Sequence, residues 1–274
     1  MSLSENDFNQ IISIITKCSG IIPLECHKPA IHDYIQKRLE QIQDFEPIVK
    51  FKFLLEQDKN ELAELINVSI QNKSYFFRDE KHFSILEKKI FPEWQANHPD
   101  SNINIWSAGC SSGEEAYSLA VLAYSCQITP TITASDISTS SLNTCTMGVF
   151  STDSKRFDDG AIFHNLLMPY LTENNKFSFT GEIRSLIHTK QINLAKPEDY
   201  KLPAKQDIIF LRNVLIYFND ELTYKILKNI TSNCLADGGF LFLSQKEAVS
   251  FPKEILPENL KKIAFGETVY FCKR

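Results

Sequence analysis

The chain has 274 residues, 43% of them hydrophobic and 23% charged, with a formal net charge of −5 and a pI near 5.7. That length buries a substantial core in one large or two modest domains, and the composition is ordinary for a soluble globular protein. The acidic balance weighs against a nucleic-acid partner, which would ask for clustered Lys and Arg. No apolar run approaches the roughly 20 residues of a membrane span.

The N-terminus, MSLSENDFNQ, is polar and acidic and does not read as a signal peptide. Seven cysteines occur with no CxxC pair, which predicts buried thiols in a reducing cytoplasm and no metal centre. From about residue 7 to 90 the pattern is helical. Phe8, Ile11, Ile12 and Ile15 share one face, with Gly20 as a C-cap; Ile31, Ile35, Leu39 and Ile42 repeat it after Pro29. Phe51, Leu54, Leu55, Leu62, Leu65 and Ile66 supply two more short helices. A helix through Phe83, Leu86 and Ile90 is expected to stop near Pro92.

Between these helices lies QNKSYFFRDEKHF, where three aromatics precede a charged run. Tyr75, Phe76 and Phe77 read as core, with Arg78 pairing to Asp79 or Glu80. The alternative is a polar edge of Asn72, Ser74 and Arg78, in which the planar fork of Arg78 meets a carboxylate.

The organising stretch is INIWSAGCSSGEEAYSLAVLA, from Ile103 to Ala123. Ile103, Ile105 and Trp106 predict a buried strand, the small residues a turn, and Tyr117, Leu119, Ala120 and Leu122 a helix. Strand, glycine turn and helix form the first unit of a nucleotide-binding α/β domain: Gly109 allows the sharp turn, and Gly113 a close backbone approach to a ligand. The absence of Gly-Lys-Ser/Thr excludes a triphosphate loop, and two acids at the helix start would repel a pyrophosphate. Glu114 and Glu115 either complement the helix dipole or face a cofactor with hydroxyls and a cationic end, as S-adenosylmethionine has.

TITASDIS predicts a second strand ending in Asp136, at a separation from Gly109 near the roughly 20 residues expected for an acid on a ribose diol; capping the next helix is the other use for such an acid. Residues from about 149 to 182 read as an insertion, with short strands hinted by Phe177, Phe179 and Ile183. IHTKQINLA and QDIIFLRNVLIYFND follow. Ile208 to Leu211 predicts a central parallel strand, which places Arg212, Asn213 and Tyr217 beyond its carboxyl end, where α/β sheets bind ligands. A helix from about Glu221 to Leu235, a turn at Asp237-Gly238-Gly239, the strand FLFLS and a closing hairpin around Gly266 complete the chain.

These segments resemble the chemotaxis receptor methyltransferases, the CheR family, in NKSYFFRDEKHFSIL, in IWSAGCSSGEEAYSLA, in ASDIS with MGVF, and in FLRNVLIYFND with LADGGFLFL. The resemblance implies an all-helical N-terminal domain (1–80) and a Rossmann-like AdoMet-dependent domain (81–274) carrying a small β-subdomain at about 149–182. It implies transfer of a methyl group from AdoMet, with S-adenosylhomocysteine as product, to glutamates on the cytoplasmic domain of chemoreceptors. The enzyme would be a cytoplasmic monomer that neither enters the membrane nor binds nucleic acid. By motif, Asn72, Ser74, Arg78, Gly109, Glu115, Asp136, Asn193, Leu194, Arg212 and Asn213 would contact the cofactor, and Arg78, Arg212 and Tyr217 would serve catalysis, with Arg212 and Tyr217 on the substrate carboxylate and Arg78 on the cofactor's, or the two arginines the other way round. The family's basic second helix, implicated in receptor docking, is here only modestly basic, with Lys28, Lys37 and Arg38 beside Asp33 and Glu40. A methyltransferase acting on a small-molecule carboxylate and a non-catalytic AdoMet-binding protein are the alternative readings.

Overall fold

The computed structural model describes residues 3–70, 74–99, 101–156 and 158–274. Two compact units emerge, one of Met1–Asn72 with Ile216–Leu222, the other of Lys73–Leu215 with Thr223–Arg274.

The first unit holds four helices, α1 (Glu5–Ser19), α2 (Lys28–Gln41), α3 (Pro47–Gln57) and α4 (Lys59–Ser69). Ser4 caps α1 by accepting from the Asp7 amide, and Gly20 closes it. The apolar repeats meet inside: Ile11, Ile15, Ile31, Ile35, Phe51, Leu55 and Leu65 are buried. Arg38, counted by resemblance among the docking cations, is paired within the unit. Its Nε and Nη2 donate to both oxygens of Glu61 on α4 at 2.8–2.9 Å, the bidentate geometry that suits a guanidinium to a carboxylate. Lys28 pairs locally with Glu25 at 2.7 Å. Among the described residues, no helix is long and apolar enough to cross a membrane.

The second unit begins with α5 (Glu80–Ile85), which runs through a π-turn at Leu86–Ile90 into α6 (Phe91–Asn97). Pro92 therefore does not stop the helix. It falls just after the wider turn, in the first turn of the renewed α-helix, where its missing N–H is tolerated. The sheet strands are β1 (Ile103–Ala108), β2 (Pro130–Asp136), β5 (Ile187–Gln191), β6 (Gln206–Phe210), β7 (Leu235–Phe242), β8 (Leu260–Phe265) and β9 (Thr268–Lys273). They lie in the order β5-β2-β1-β6-β7-β9-β8. The first five are parallel, and β9 and β8 close the edge as the antiparallel hairpin expected around Gly266. The sheet is Rossmann-like and follows a helical region. Helices α7 (Glu114–Ser125) and α8 (Thr139–Met147) pack against β2 and β5.

The Asp237-Gly238-Gly239 segment is not a free turn but lies inside β7, where the register with β6 shifts between Gln206 and Ile208. In the insertion, β3 (Val149–Ser151) and β4 (Lys176–Ser178) pair antiparallel. Ile183 falls in the short helix α9 (Gly181–Ser185), not in a strand, because Thr180 caps a helical turn by accepting from the Ile183 amide. Phe76 anchors the insertion, with its ring 5.1 Å from Phe150, 5.6 Å from Phe177 and 5.7 Å from Phe179. Helix α10 (Asp220–Asn229) leads into β7 through a second π-turn, and α11 (Gln245–Ser250) follows it. All seven cysteines are free, but only Cys110, Cys145 and Cys234 are buried, and Cys26 is exposed.

Candidate active site

Asp136, Asn193, Arg212 and Asn213 stand at or just beyond the carboxyl ends of β2, β5 and β6, and the glycine turn leading to Glu115 follows β1. The order of strands explains this: β1 lies between β2 and β6, so the loops that leave these strands are neighbours.

The glycine turn after β1 is held by its own backbone. The amides of Gly109 and Cys110 both donate to the Ser135 carbonyl, at 2.7 and 2.8 Å. Gly109 has φ +78° and a Cβ there would stand 2.4 Å from Val214 Cγ2; at Gly113, φ +107°, it would stand 2.6 Å from Cys145 Sγ. The close approaches that call for glycine at both positions thus come from the protein itself. Val214 belongs to the loop after β6, so Gly109 lets the β1 and β6 loops close together.

Asp136 ends β2, buried, with Oδ2 accepting from the Ser111 amide at 2.8 Å and Oδ1 from the Ser138 amide at 2.9 Å. It is not the cap of α8, because Ser138 takes that role by accepting from the Ser141 amide. Burial pushes its carboxyl above the usual range, and the hydrogen bonds from Ser138 and Ser111 pull back. Next to it, beyond β5, the Ile192 amide donates to the Asp136 carbonyl at 3.1 Å. Asn193 and Leu194 follow, both buried: Asn193 Oδ1 accepts from the Ala195 amide, and the Leu194 carbonyl from the Tyr200 hydroxyl.

The two acids after the glycine turn part company. Glu114 takes hydrogen bonds from the hydroxyls of Ser112 and Ser154, at 2.7 and 3.0 Å. Glu115 accepts from Ser107 Oγ at 2.6 Å, and its other oxygen stands 3.2 Å from Arg212 Nη1. Burial raises the Glu115 carboxyl, and the positive charge of Arg212 opposes this.

Arg212 leaves β6 with its side chain only 2% exposed. Nη2 donates to the Arg78 carbonyl at 2.6 Å and to Asp79 Oδ2 at 2.8 Å. The guanidinium lies 5.5 Å from the Phe210 ring and 5.9 Å from that of Phe83. Asp79 therefore reaches past its neighbour Arg78 to Arg212, a pairing no local spacing shows. Arg78 is half-buried, its guanidinium 5.5 Å from the Tyr75 ring. The aromatics are core, as their run implies: Phe76 and Phe77 are fully buried. Ser74 is half-buried just before them, and Asn72 lies outside the described residues.

Asn213 has a left-handed backbone, φ +58°. Glu247, buried on α11, holds this loop by accepting from the Asn213 and Leu215 amides at 3.0 and 3.1 Å. Glu247 escaped the sequence reading, although Ser244 and Glu247 form the Ser-x-x-Glu capping box that marks a helix start. Tyr217 groups with the first unit, where its ring stacks on His27 at 6.0 Å and its carbonyl accepts from the Ile22 amide.

This donor set suits S-adenosylmethionine. Glu115 and Asp136 are acceptors for an ammonium or a ribose diol, and a pyrophosphate would be repelled by them. Arg212 has buried donors to spare for a carboxylate: Nε and Nη1 make no hydrogen bond among the described residues, the 3.2 Å contact of Nη1 with Glu115 being an ion pair without hydrogen-bond alignment.

Comparison with known proteins bears on the same segments. The family model for the CheR methyltransferase SAM-binding domain matches residues 72–263. A chemotaxis protein methyltransferase of Borreliella burgdorferi is 30% identical over 96% of this chain and 96% of its own length. Chemotaxis protein methyltransferase Cher2 of Pseudomonas putida is 30% identical over 91% of this chain and 93% of its own. Chemotaxis protein methyltransferase 1 of Vibrio cholerae is 32% identical over 68% of each. Both the match to most of the second unit and the full-length likeness place the chain in the CheR family, as a SAM-dependent methyltransferase of chemotaxis.

Proposed function

We propose that the chain transfers methyl groups to glutamate side chains on the cytoplasmic domain of chemotaxis receptors, leaving glutamate methyl esters, and that it acts in the cytoplasm as a monomer. The observation that carries this reading is two arginines about one carboxylate: the charges of Arg212 and Arg78 both act on Glu115, and Arg212 donates to the Arg78 carbonyl. The cofactor has a single carboxylate, so a second guanidinium suits a second carboxylate, that of the acceptor.

In this reading Asp136 takes the ribose hydroxyls, Glu115 the cofactor's ammonium, and Asn193 and Leu194 flank the adenine. Of the two allocations open for the arginines, the burial of Arg212 between Asp79 and Glu115 favours it for the cofactor's carboxylate, leaving half-buried Arg78 for the substrate. Tyr217, five residues along the chain from Arg212, supplies a hydroxyl to orient the substrate oxygen. When bound, the cofactor supplies a methyl group already activated on sulfur. The chain needs no general base, because a glutamate is ionised near neutral pH. Its work is to hold the carboxylate oxygen in line with the methyl carbon, and such placement contributes roughly 7–11 kcal/mol.

The test is incubation with methyl-labelled AdoMet and receptor cytoplasmic fragments. Base-labile label on the receptor is the expected result. Label on a small molecule, base-stable label, or none would overturn the reading.

A further inference from the structure

The insertion enters the site through a carboxylate that neither the family motifs nor the proposed chemistry uses. Asp159 lies in irregular backbone ahead of a 3₁₀ segment, Ala161–Tyr170. Its Oδ2 accepts from the Tyr75 hydroxyl at 2.9 Å and from the Asp79 amide at 2.7 Å, and its Oδ1 from the Glu80 amide at 3.0 Å. Those two amides open α5, where backbone donors have no intrahelical acceptor. The side chain of an N-cap residue such as Asp79 ordinarily accepts from an amide further on, the second or third of the helix. Here Asp79 makes no side-chain cap, because its carboxylate is turned to Arg212.

Asp159 thus holds the two amides at the start of α5 from 80 positions along the chain, while the Asp79 carboxylate is engaged by Arg212. The turn between them is conformationally demanding: Phe77 and Asp79 have φ +56° and +54°, unfavourable for residues with a Cβ. Further ties from the same arm converge on it. The Phe76 amide donates to the Ser154 carbonyl at 2.8 Å, and the Arg156 guanidinium lies 4.9 Å from the Tyr75 ring.

We propose that Asp159 is a positioning residue for methyl transfer: by holding the two amides at the start of α5 from the insertion, it keeps the Arg78–Asp79 turn in the conformation that presents Asp79 to Arg212. The inference rests on the reading that places Arg78 and Arg212 about the cofactor and the acceptor. It makes the insertion part of the catalytic apparatus, since any shift of the arm carrying Asp159 is felt at Arg212.

Asp159→Asn removes the charge and leaves one acceptor atom where two are used. The variant should fold, bind AdoMet about tenfold more weakly by calorimetry, and lose turnover with little change in the KM for receptor. Asp158→Asn, the same charge change at the exposed neighbour, should match the parent. A spectroscopic mark separates positioning from general loosening. The Tyr75 hydroxyl, pushed up to about 12 by burial and by its bond to Asp159, should titrate at lower pH in Asp159→Asn, followed by phenolate absorbance. Asp159→Glu keeps the charge and serves if the Asn variant does not fold, with an intermediate loss of affinity expected. Parental AdoMet affinity in either folded variant, or a change confined to the KM for receptor, would overturn the proposal. Affinity is read without receptor, so the result stands whichever acceptor the enzyme uses.

Discussion

Two arginines, one in each compact unit, meet carboxylates in contrasting ways. Arg38 spends Nε and Nη2 on both oxygens of Glu61, with its side chain 30% exposed. Arg212 is 2% exposed, and it divides one nitrogen between Asp79 and a carbonyl while Nε makes no hydrogen bond among the described residues. A satisfied fork joining two helices is a structural contact. A buried guanidinium with donors unspent is unfavourable unless a ligand completes it. Burial and unused hydrogen-bonding capacity therefore set Arg212, proposed to meet the cofactor, apart from Arg38 better than the identity of the partner does.

The same substitution at both positions tests this contrast. Arg212→Met leaves Asp79 and Glu115 without their shared cation. It should cost about 3–5 kcal/mol in denaturant unfolding, and should weaken AdoMet binding at least about a hundredfold. Near-parental AdoMet affinity in this variant would erase the distinction.

Tyr217→Phe sharpens it by removing a single hydroxyl while keeping the ring stacked on His27. Turnover should fall about tenfold or more, with AdoMet affinity within about twofold of the parent. A parallel loss of AdoMet affinity would make Tyr217 a cofactor contact.

Asp136→Asn should weaken AdoMet about tenfold, the worth of a charged hydrogen bond. It also has a pH signature in the free protein. Burial raises the Asp136 carboxyl, so its protonated form is favoured on folding. The stability this contributes is complete below the ordinary value, about 3.9, and is lost as pH rises through the raised folded value. Asparagine does not ionise, so the variant should gain on the parent as pH rises from about 4. Parallel stability profiles would mean that burial does not load this carboxyl.

The smallest effect is expected at Arg38. Arg38→Met breaks a part-exposed pair and should cost about 1 kcal/mol, with AdoMet affinity and turnover unchanged. An effect on methyl transfer would give the helical unit's ion pair a role beyond stability.

Much of this molecule was legible in its sequence because the signals are local. Apolar spacing of 3.6 marks α1 to α4, alternation marks β1 and β2, and the continuous run Ile208–Leu211 marks a strand covered on both faces. The four ordered motifs were enough to place the chain in its family: three join a strand end to the polar residues that leave it, and the first is the turn that opens α5. Asp79, Asp159 and Glu247 were not legible in their roles, since each works on a partner far along the chain: Asp79 on Arg212, Asp159 on the α5 amides, Glu247 on the Asn213 loop. The pairing of Arg38 was not legible for the same reason, as its carboxylate stands on another helix. A charge's sign and rough exposure follow from its own segment. Which opposite charge it meets, and whether it keeps a donor unspent, depends on how strands and helices distant in sequence are brought together, and only the tertiary structure decides that.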